Sequence, residues 1–456
     1  LKQHNNILEL IGNTPMVRVN NIDTGVCELF LKLESQNPAG SIKDRIALNM
    51  INAAEVSGEL KTGGLIVEAT AGNTGLGLAL VASQKGYRLK LVIPDKMSQE
   101  KIFHLKALGA EVVITRSDVG IDHEEYYQDM AKRIAQEEGG FYINQFENPH
   151  NPEAHEKTTA PEIWEQMEHR LDAVVCGVGS GGTLTGLGRF FSKHAPHVEM
   201  VLADPKGSIL APLVNDGIMV QAGSWLVEGI GEDFIPKNCE LEFVKTAYSI
   251  SDAESIATAR QVLQSEGIIC GSSSGTLIAS ALRYCRAQTT PKRVVSFVCD
   301  SGNKYLSKIF NQYWLDDHGF IERSNSNNLS DLIIRPHTNK SAVVIAPSEP
   351  LQAAYRKMKM YDVSQLPVMV GNKLVGIITE LDILLAVTGN PDGFAIKVKE
   401  AMATELHTLQ INAQINDLLP IFERDMVAII MEGDEFLGLI TKIDLLQHLR
   451  KSIGHG

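Results

Sequence analysis

GLIVEATAGNTGLGLALVASQKGYRLKLVIP, residues 64–94, reads as a strand, a turn of small residues, a helix and a second strand. GLIVEAT (64–70) and RLKLVIP (88–94) are short apolar, β-rich runs, and between them LGLALVASQKG (76–86) places apolar residues at helical spacing and closes on a glycine. A strand that returns through a helix predicts a βαβ unit with parallel strands. The same alternation runs outward through the helical stretch SQEKIFHLKALG (98–109) and the strands AEVVIT (110–115), LDAVVCGVG (171–179), VEMVLADP (198–205) and RVVSFVCD (293–300). The expectation is an α/β fold, a mostly parallel sheet covered on both faces, whose ligands bind beyond the carboxyl ends of the strands.

At 456 residues the chain exceeds the ~250–300 residues at which one core stops growing, so at least two domains are expected. The hydrophobic share is 44%, and no stretch reaches the ~20 apolar residues of a membrane span. A formal charge of -13 with scattered Lys and Arg argues against a nucleic-acid partner. The six cysteines stand apart, without C-x-x-C pairs or Cys/His clusters, so no metal site is expected and buried, reduced thiols are. LKQHNNILELIGNTP at the start lacks the charged and apolar regions of a signal peptide, which makes the cytoplasm the expected location.

Ser and Asn crowd FIERSNSNNLSD (320–331) without apolar periodicity, as in a linker. Beyond it LVGIITELDIL (374–384) and FLGLITKIDLL (436–446) agree at Gly376/Gly438, Ile378/Ile440, Thr379/Thr441, Asp382/Asp444 and Leu384/Leu446. The expected domains are therefore 1–317, a linker at 318–331, and a duplicated small α/β module at 332–456, with copies at about 332–390 and 396–453.

Four stretches carry the chemistry. NPAGSIKDR (37–45) surrounds Lys43 with small residues; as a plain helix start it would have Ser41 as N-cap and Lys43 in water. TAGNTG (70–75) follows a strand and opens a helix, where free N–H groups attract a carboxylate. GSGGT, Gly179 to Thr183, exposes several backbone donors and a hydroxyl, a natural phosphate nest. CGSSSG (270–275) offers hydroxyls to a heterocycle nitrogen, or an N-cap. A rival reading takes Gly177, Gly179 and Gly182 with Asp204 as a dinucleotide fingerprint, although it lies mid-chain and leaves Lys43 and TAGNTG without a role. Together the four stretches describe pyridoxal 5′-phosphate held with an amino acid: a lysine for the imine, a phosphate nest, a carboxylate site and a hydroxyl for the ring nitrogen.

At this point the sequence resembles the β-family, or fold type II, of pyridoxal-phosphate enzymes, and within it the cystathionine β-synthases. The likeness spans residues 7 to about 315 through IGNTPMVRV (11–19), NPAGSIKDR, TAGNTG, NQFENPHNPEAH (144–155), GSGGT, ADPKGSIL (203–210), VEGIGEDFIP (227–236) and CGSSSG. It implies a fold type II core with parallel-rich sheets and flanking helices, in which Lys43 forms the imine with the cofactor and then serves as base. It further implies that Asn73 meets the 3′-oxygen, that Gly179, Ser180, Gly181, Gly182 and Thr183 hold the phosphate, and that Ser273 faces the ring nitrogen. Thr70, Ala71, Gly72, Asn73, Thr74 and Gln145 would receive the donor's carboxylate, and Glu228 with Gly229 the acceptor, Glu228 meeting its ammonium. The implied reaction joins L-serine, or an activated serine, to L-homocysteine by β-replacement through an aminoacrylate.

Three positions depart from the family pattern: Ala71 where serine is usual, and Phe146 and Glu232 where vertebrate members carry tyrosine. Haem and thiol-redox control are not expected, since no haem-binding extension precedes Ile7 and no C-x-x-C follows the phosphate loop. The C-terminal repeat resembles a Bateman module, a pair of CBS domains. In such modules Thr379, Asp382, Thr441 and Asp444 would hold the ribose of an adenosyl ligand such as S-adenosylmethionine; a module that only dimerises is the other reading. A homodimer is expected by symmetry and by family likeness. Two alternatives stay open: a cysteine synthase using O-acetylserine and sulfide, and an adenosine-ligand sensor with an inactive catalytic half.

Overall fold

The computed structural model describes residues 3–70, 72–95, 99–116, 119, 123–321, 328–338 and 341–453. Contacts divide the chain into a unit ending at Asn311 and one beginning at Gln312. Residues 322–327 of the expected linker lie outside the described residues.

The first unit holds ten strands: β1 (Met16–Arg18), β2 (Glu28–Lys32), β3 (Leu65–Ala69), β4 (Arg88–Pro94), β5 (Glu111–Thr115), β6 (Phe141–Tyr142), β7 (Ala173–Gly177), β8 (Glu199–Pro205), β9 (Val244–Ile250) and β10 (Arg293–Phe297). Its α-helices are α1 (Lys43–Ser57), α2 (Asn73–Lys85), α3 (Gln99–Ala107), α4 (Tyr127–Glu138), α5 (His150–Ala154), α6 (Ala160–Gln166), α7 (Gly182–His194), α8 (Leu210–Asp216), α9 (Asp252–Glu266) and α10 (Ser272–Arg286). The six strands read from the sequence are all present; the alternation alone suggested one sheet, and they form two, in keeping with the parallel-rich sheets that the family likeness implied. One runs β1-β2-β10-β7-β8-β9 and the other β5-β4-β3-β6. Every pairing is parallel except β1 with β2.

Both orders contain a switch point, where the strands on either side of a gap lead their chains in opposite directions and leave a crevice beyond their carboxyl ends. In the smaller sheet it falls between β3 and β6, in the larger between β7 and β10. Strand β3 is buried along its whole length, as expected of a parallel strand covered on both faces. Helices α1 and α2 cover the smaller sheet with one contiguous core that includes Ile46, Met50, Leu76 and Leu91. Gly77 allows that close approach, since a Cβ there would stand 3.0 Å from the Lys43 carbonyl and 3.1 Å from the Ala47 side chain.

The second unit contains α11 (Gln312–Asp317), α12 (Leu351–Tyr361), β11 (Gln365–Val370), β12 (Lys373–Thr379), α13 (Glu380–Val387), α14 (Val398–Ala401), β13 (Thr408–Gln410), α15 (Leu419–Phe422), β14 (Ala428–Glu432), β15 (Glu435–Ile440) and α16 (Lys442–Ile453). The duplication shows as two antiparallel hairpins, β11-β12 and β14-β15, each with a register shift at the same place in its ladder. Each half has its own core, one around Leu366 and Ile378, the other around Ile430 and Ile440. No helix among the described residues is long and apolar enough to cross a membrane, and no group of His, Cys, Asp and Glu there could hold a metal ion.

Glu68 breaks the apolar run of β3 without leaving the interior. It is fully buried, one of its oxygens has no partner among the described residues, and burial pushes its carboxyl up to about 8 against the N–H groups of Gln145 and Asn144 that favour the charged form. A folded-state value above the ordinary one means that the native protein holds a proton the unfolded chain releases. Stability therefore declines as pH rises from the usual carboxyl range to about 8. In urea titrations at pH 5 to 8, Glu68→Gln should escape this decline, so its stability relative to the unchanged protein grows with pH; a difference that stays constant would show that Glu68 does not titrate in this window.

Candidate active site

Lys43 is the first residue of α1. Ser41 is not the N-cap residue, a place taken by Ile42; instead its hydroxyl accepts the Lys43 N–H at 3.2 Å. Nor does Lys43 stand in water. It lines a cavity together with Gly179, Ser180, Gly181, Gly182 and Thr183, with Cys176, Phe297 and Cys299 along its wall. Burial lowers the amine's pKa, outweighing the pull of Cys299 and Asp300 toward the charged form. A neutral amine is the state that can attack a carbonyl.

The loop after β7 shapes that cavity at the larger sheet's switch point. Gly181 is left-handed at φ 84°, and a Cβ there would stand 2.8 Å from the Cys239 side chain. A Cβ on Gly179 would stand 2.6 Å from the Gly229 carbonyl, and one on Gly182 would overlap the Asn151 amide. No side chain fits, so the loop offers bare backbone at the N-terminus of the 13-residue helix α7, where N–H groups and the helix dipole favour an anion. A phosphate-bearing ring that needs an amine partner fits this donor set.

The loop after β3 occupies the smaller sheet's switch point. Thr74 donates to Gln145 Oε1 at 2.7 Å, joining the segment after β3 to that after β6. Thr70 and Gln145 are buried there, the Gly72 N–H donates to Thr70 Oγ1 at 3.2 Å, and Ala71 lies outside the described residues. Asn73 reaches across to the end of β10. Its Nδ2 donates to Asp300 Oδ2 at 2.8 Å, and Lys304 Nζ donates to its Oδ1 at 2.8 Å. Tyr305 adds a third contact, donating to Asp300 Oδ2 at 2.6 Å. Asp300, Lys304 and Tyr305 were not singled out in the sequence; the signal was an Asp just past a strand end that faces a switch point.

Of the three serines that open α10, Ser272 Oγ accepts the Glu228 N–H at 3.2 Å and Ser274 Oγ the Cys299 N–H at 2.9 Å. Ser273 is buried between them and carries no such bond among the described residues, which leaves its hydroxyl for another partner. Glu228 is held by two cations. Lys101 and Lys308 both bond its carboxylate, the latter at 2.5 Å, and these cations hold its pKa below the usual range against the opposing effect of burial. Asp204, the acid of the dinucleotide reading, is 1% exposed and accepts the Ala211 N–H at 2.8 Å, near the start of α8. Burial raises its pKa to about 6. It is a structural cap with no access to a ribose.

In the second unit the two T-x-x-D motifs each start a helix. Thr379 and Asp382 form a reciprocal capping box, the Thr379 N–H and hydroxyl donating to Asp382 Oδ2 at 2.8 and 2.7 Å. Thr441 donates in the same way to Asp444 Oδ2 at 2.6 and 2.7 Å. Each motif therefore does conformational work through one carboxylate oxygen.

Comparison with known proteins agrees with this arrangement. Residues 7–300 match the family model described as pyridoxal-phosphate dependent enzyme, and residues 330–389 and 398–451 match the CBS domain. The chain is 37% identical to a cystathionine beta-synthase of Dictyostelium discoideum, over 98% of this chain and 92% of that one. Against the cystathionine beta-synthase of Saccharomyces cerevisiae it is 32% identical, over 97% of each. Among solved structures, a hydrogen sulfide-producing enzyme from Fusobacterium nucleatum is 35% identical with a TM-score of 0.62, covering 67% of this chain and all of that one. An O-ureido-L-serine synthase is 33% identical with a TM-score of 0.64, covering 72% of this chain and 99% of that one. The chain thus belongs to the pyridoxal-phosphate-dependent enzymes and, among them, to the cystathionine β-synthases whose catalytic part is followed by two CBS domains.

Proposed function

We propose that this protein makes L-cystathionine, replacing the β-hydroxyl of L-serine with the thiol of L-homocysteine. The reading is carried by one observation: a desolvated lysine amine and an anion nest of bare backbone share one cavity. When bound, pyridoxal 5′-phosphate supplies an electron sink that makes the Cα proton of the donor acidic and its β-substituent a leaving group.

The chain's own residues do the rest. Lys43 holds the cofactor until the donor amine displaces it, and its freed amine takes the Cα proton, a task suited to a lysine whose pKa is lowered by burial. Thr70, Ala71, Gly72, Asn73, Thr74 and Gln145 orient the donor through its carboxylate. Gly179 to Thr183 hold the phosphate and Ser273 faces the ring nitrogen. A hydroxyl there does not keep that nitrogen protonated as a carboxylate would, which favours chemistry at Cβ over transamination.

The acceptor is recognised by charge. Homocysteine presents an ammonium and a carboxylate close together, and Glu228 flanked by Lys101 and Lys308 offers the complementary set beside Gly229. Sulfide needs neither. Glu228→Gln should therefore raise the KM for homocysteine about tenfold, the size of one charge-assisted contact, and leave the KM for serine unchanged. An equal rise in both would remove Glu228 from acceptor binding. Product analysis with paired donors and acceptors tests the reaction itself: serine with homocysteine should give cystathionine, whereas faster turnover of O-acetylserine with sulfide would favour a cysteine synthase.

The enzyme is read as a cytoplasmic homodimer. Its C-terminal module is read as a sensor of an adenosyl ligand such as S-adenosylmethionine, with Thr379, Asp382, Thr441 and Asp444 at the ribose. Calorimetry should register binding by the unchanged protein and a loss of about tenfold or more with Asp382→Asn or Asp444→Asn. An absence of heat with the unchanged protein would leave the module a purely structural element.

A further inference from the structure

The segment NQFENPHNPEAH contributes more than Gln145. Asn151 Nδ2 donates to Ser180 Oγ at 2.9 Å and to the Gln145 carbonyl at 2.8 Å, tying the segment after β6 to the glycine loop. Between α5 and α6 the chain makes a π-helical turn, His155–Thr159. Such turns add a residue to the helix, redirect side chains and recur at functional sites. Helix α7 rests directly on this turn, because a Cβ on Gly186 would overlap the Pro152 carbonyl and stand 2.7 Å from both the Glu156 nitrogen and His155 Cβ.

His155 is 1% exposed inside this contact, and both of its ring nitrogens are engaged. Nδ1 lies 2.9 Å from Thr159 Oγ1 and Nε2 lies 3.3 Å from Thr183 Oγ1, the last residue of the glycine loop. Burial, reinforced by the nearby Arg45 guanidinium, keeps the imidazole neutral. It therefore has one N–H to give and one lone pair to fill. If Nε2–H points to Thr183, Thr159 fills the lone pair on Nδ1 and the Thr183 hydroxyl proton is left free to face the cavity that Thr183 lines.

We infer that His155 is a positioning residue for the cofactor phosphate: with Thr159 donating to its Nδ1, it donates to Thr183 Oγ1 and so turns the Thr183 hydroxyl into a donor toward the anion. The inference rests on the reading of Gly179 to Thr183 as the phosphate cradle. No proton is transferred, and the relay acts through orientation alone.

The test compares two cofactors that share ring and aldehyde but differ in the phosphate. Apoenzyme is titrated with pyridoxal 5′-phosphate and with pyridoxal, followed by absorbance, for the unchanged protein and for His155→Leu, His155→Gln and Thr159→Val. The unchanged protein should bind the phosphorylated form at least about 100-fold more tightly, as expected of several hydrogen bonds to a charged group. His155→Leu should cut that preference about tenfold while leaving the affinity for pyridoxal unchanged. Thr159→Val should lower it severalfold, and His155→Gln, which keeps a donor, should restore most of it. A preference retained by both His155→Leu and Thr159→Val would overturn the relay, as would equal losses for the two cofactors. If the unchanged protein itself shows no preference, the cradle reading fails first, and the relay with it.

Discussion

The Arg45 guanidinium, 4% exposed, is bonded to two carboxylates: Glu34 through Nε and Nη2, both at 2.8 Å, and Glu162 through Nη1 and Nη2, both at 2.7 Å. Lys32 closes the group, donating to Glu162 Oε2 at 2.8 Å, so two cations balance two anions inside the protein. Removing one member of such a set leaves an uncompensated charge in the interior, at a cost of about 3–5 kcal/mol. The four residues come from β2, the short turn Glu34–Gln36, α1 and α6, and they fix where α1 begins. Asp44 adds a second anchor by accepting the Ala39 N–H at 2.6 Å. Lys43 stands immediately before these two anchors, so its direction into the cavity follows from theirs.

That placement gives the two switch points a common focus. One sheet presents Gln145 and the loop Thr70 to Gly75, the other the glycine loop and Asp300, and α1 starts where its first side chain reaches the cavity of the second. The Asn73–Asp300 bond ties the loop after β3 to the segment after β10. Neither loop has bulk or charge of its own to hold a ligand tightly. Binding comes from backbone donors kept in place by buried neighbours such as Asn151 and Ser274. The glycines are required by proximity as much as by torsion, since Gly179, Gly182 and Gly186 each rest against atoms that a Cβ would displace.

Much of this was legible in the sequence because it is local. Alternating β-rich runs and helical periodicity located the six principal strands, and the glycine and serine loops fell at strand ends where ligands bind. The repeated T-x-x-D was visible as a duplication, and its hydrogen bonds are those of an ordinary capping box. What escaped depends on distant pairing. A run of strands does not announce which sheet each joins, so the alternation by itself reads as one sheet where there are two, and β6, with two residues, is too short to show a period. The pairs Arg45–Glu162 and Lys32–Glu162 span more than a hundred residues and leave no pattern in either neighbourhood. Gly177, Gly179, Gly182 and Asp204 imitated a dinucleotide site because spacing does not reveal that Asp204 is buried against α8. Glu228 was noticed as an acid, while the lysines that flank it come from other parts of the chain.

The central claim is that the amine at position 43, and no other, carries the cofactor. Lys304 is the competitor that makes the claim testable. It too is mostly buried, its pKa is lowered by that burial, and it reaches Asn73. Reduction of the holoenzyme with borohydride, digestion and mass mapping of the pyridoxyl-lysine peptide decides between them. The account predicts a single adduct on Lys43; an adduct on Lys304, or none on either lysine, would contradict it.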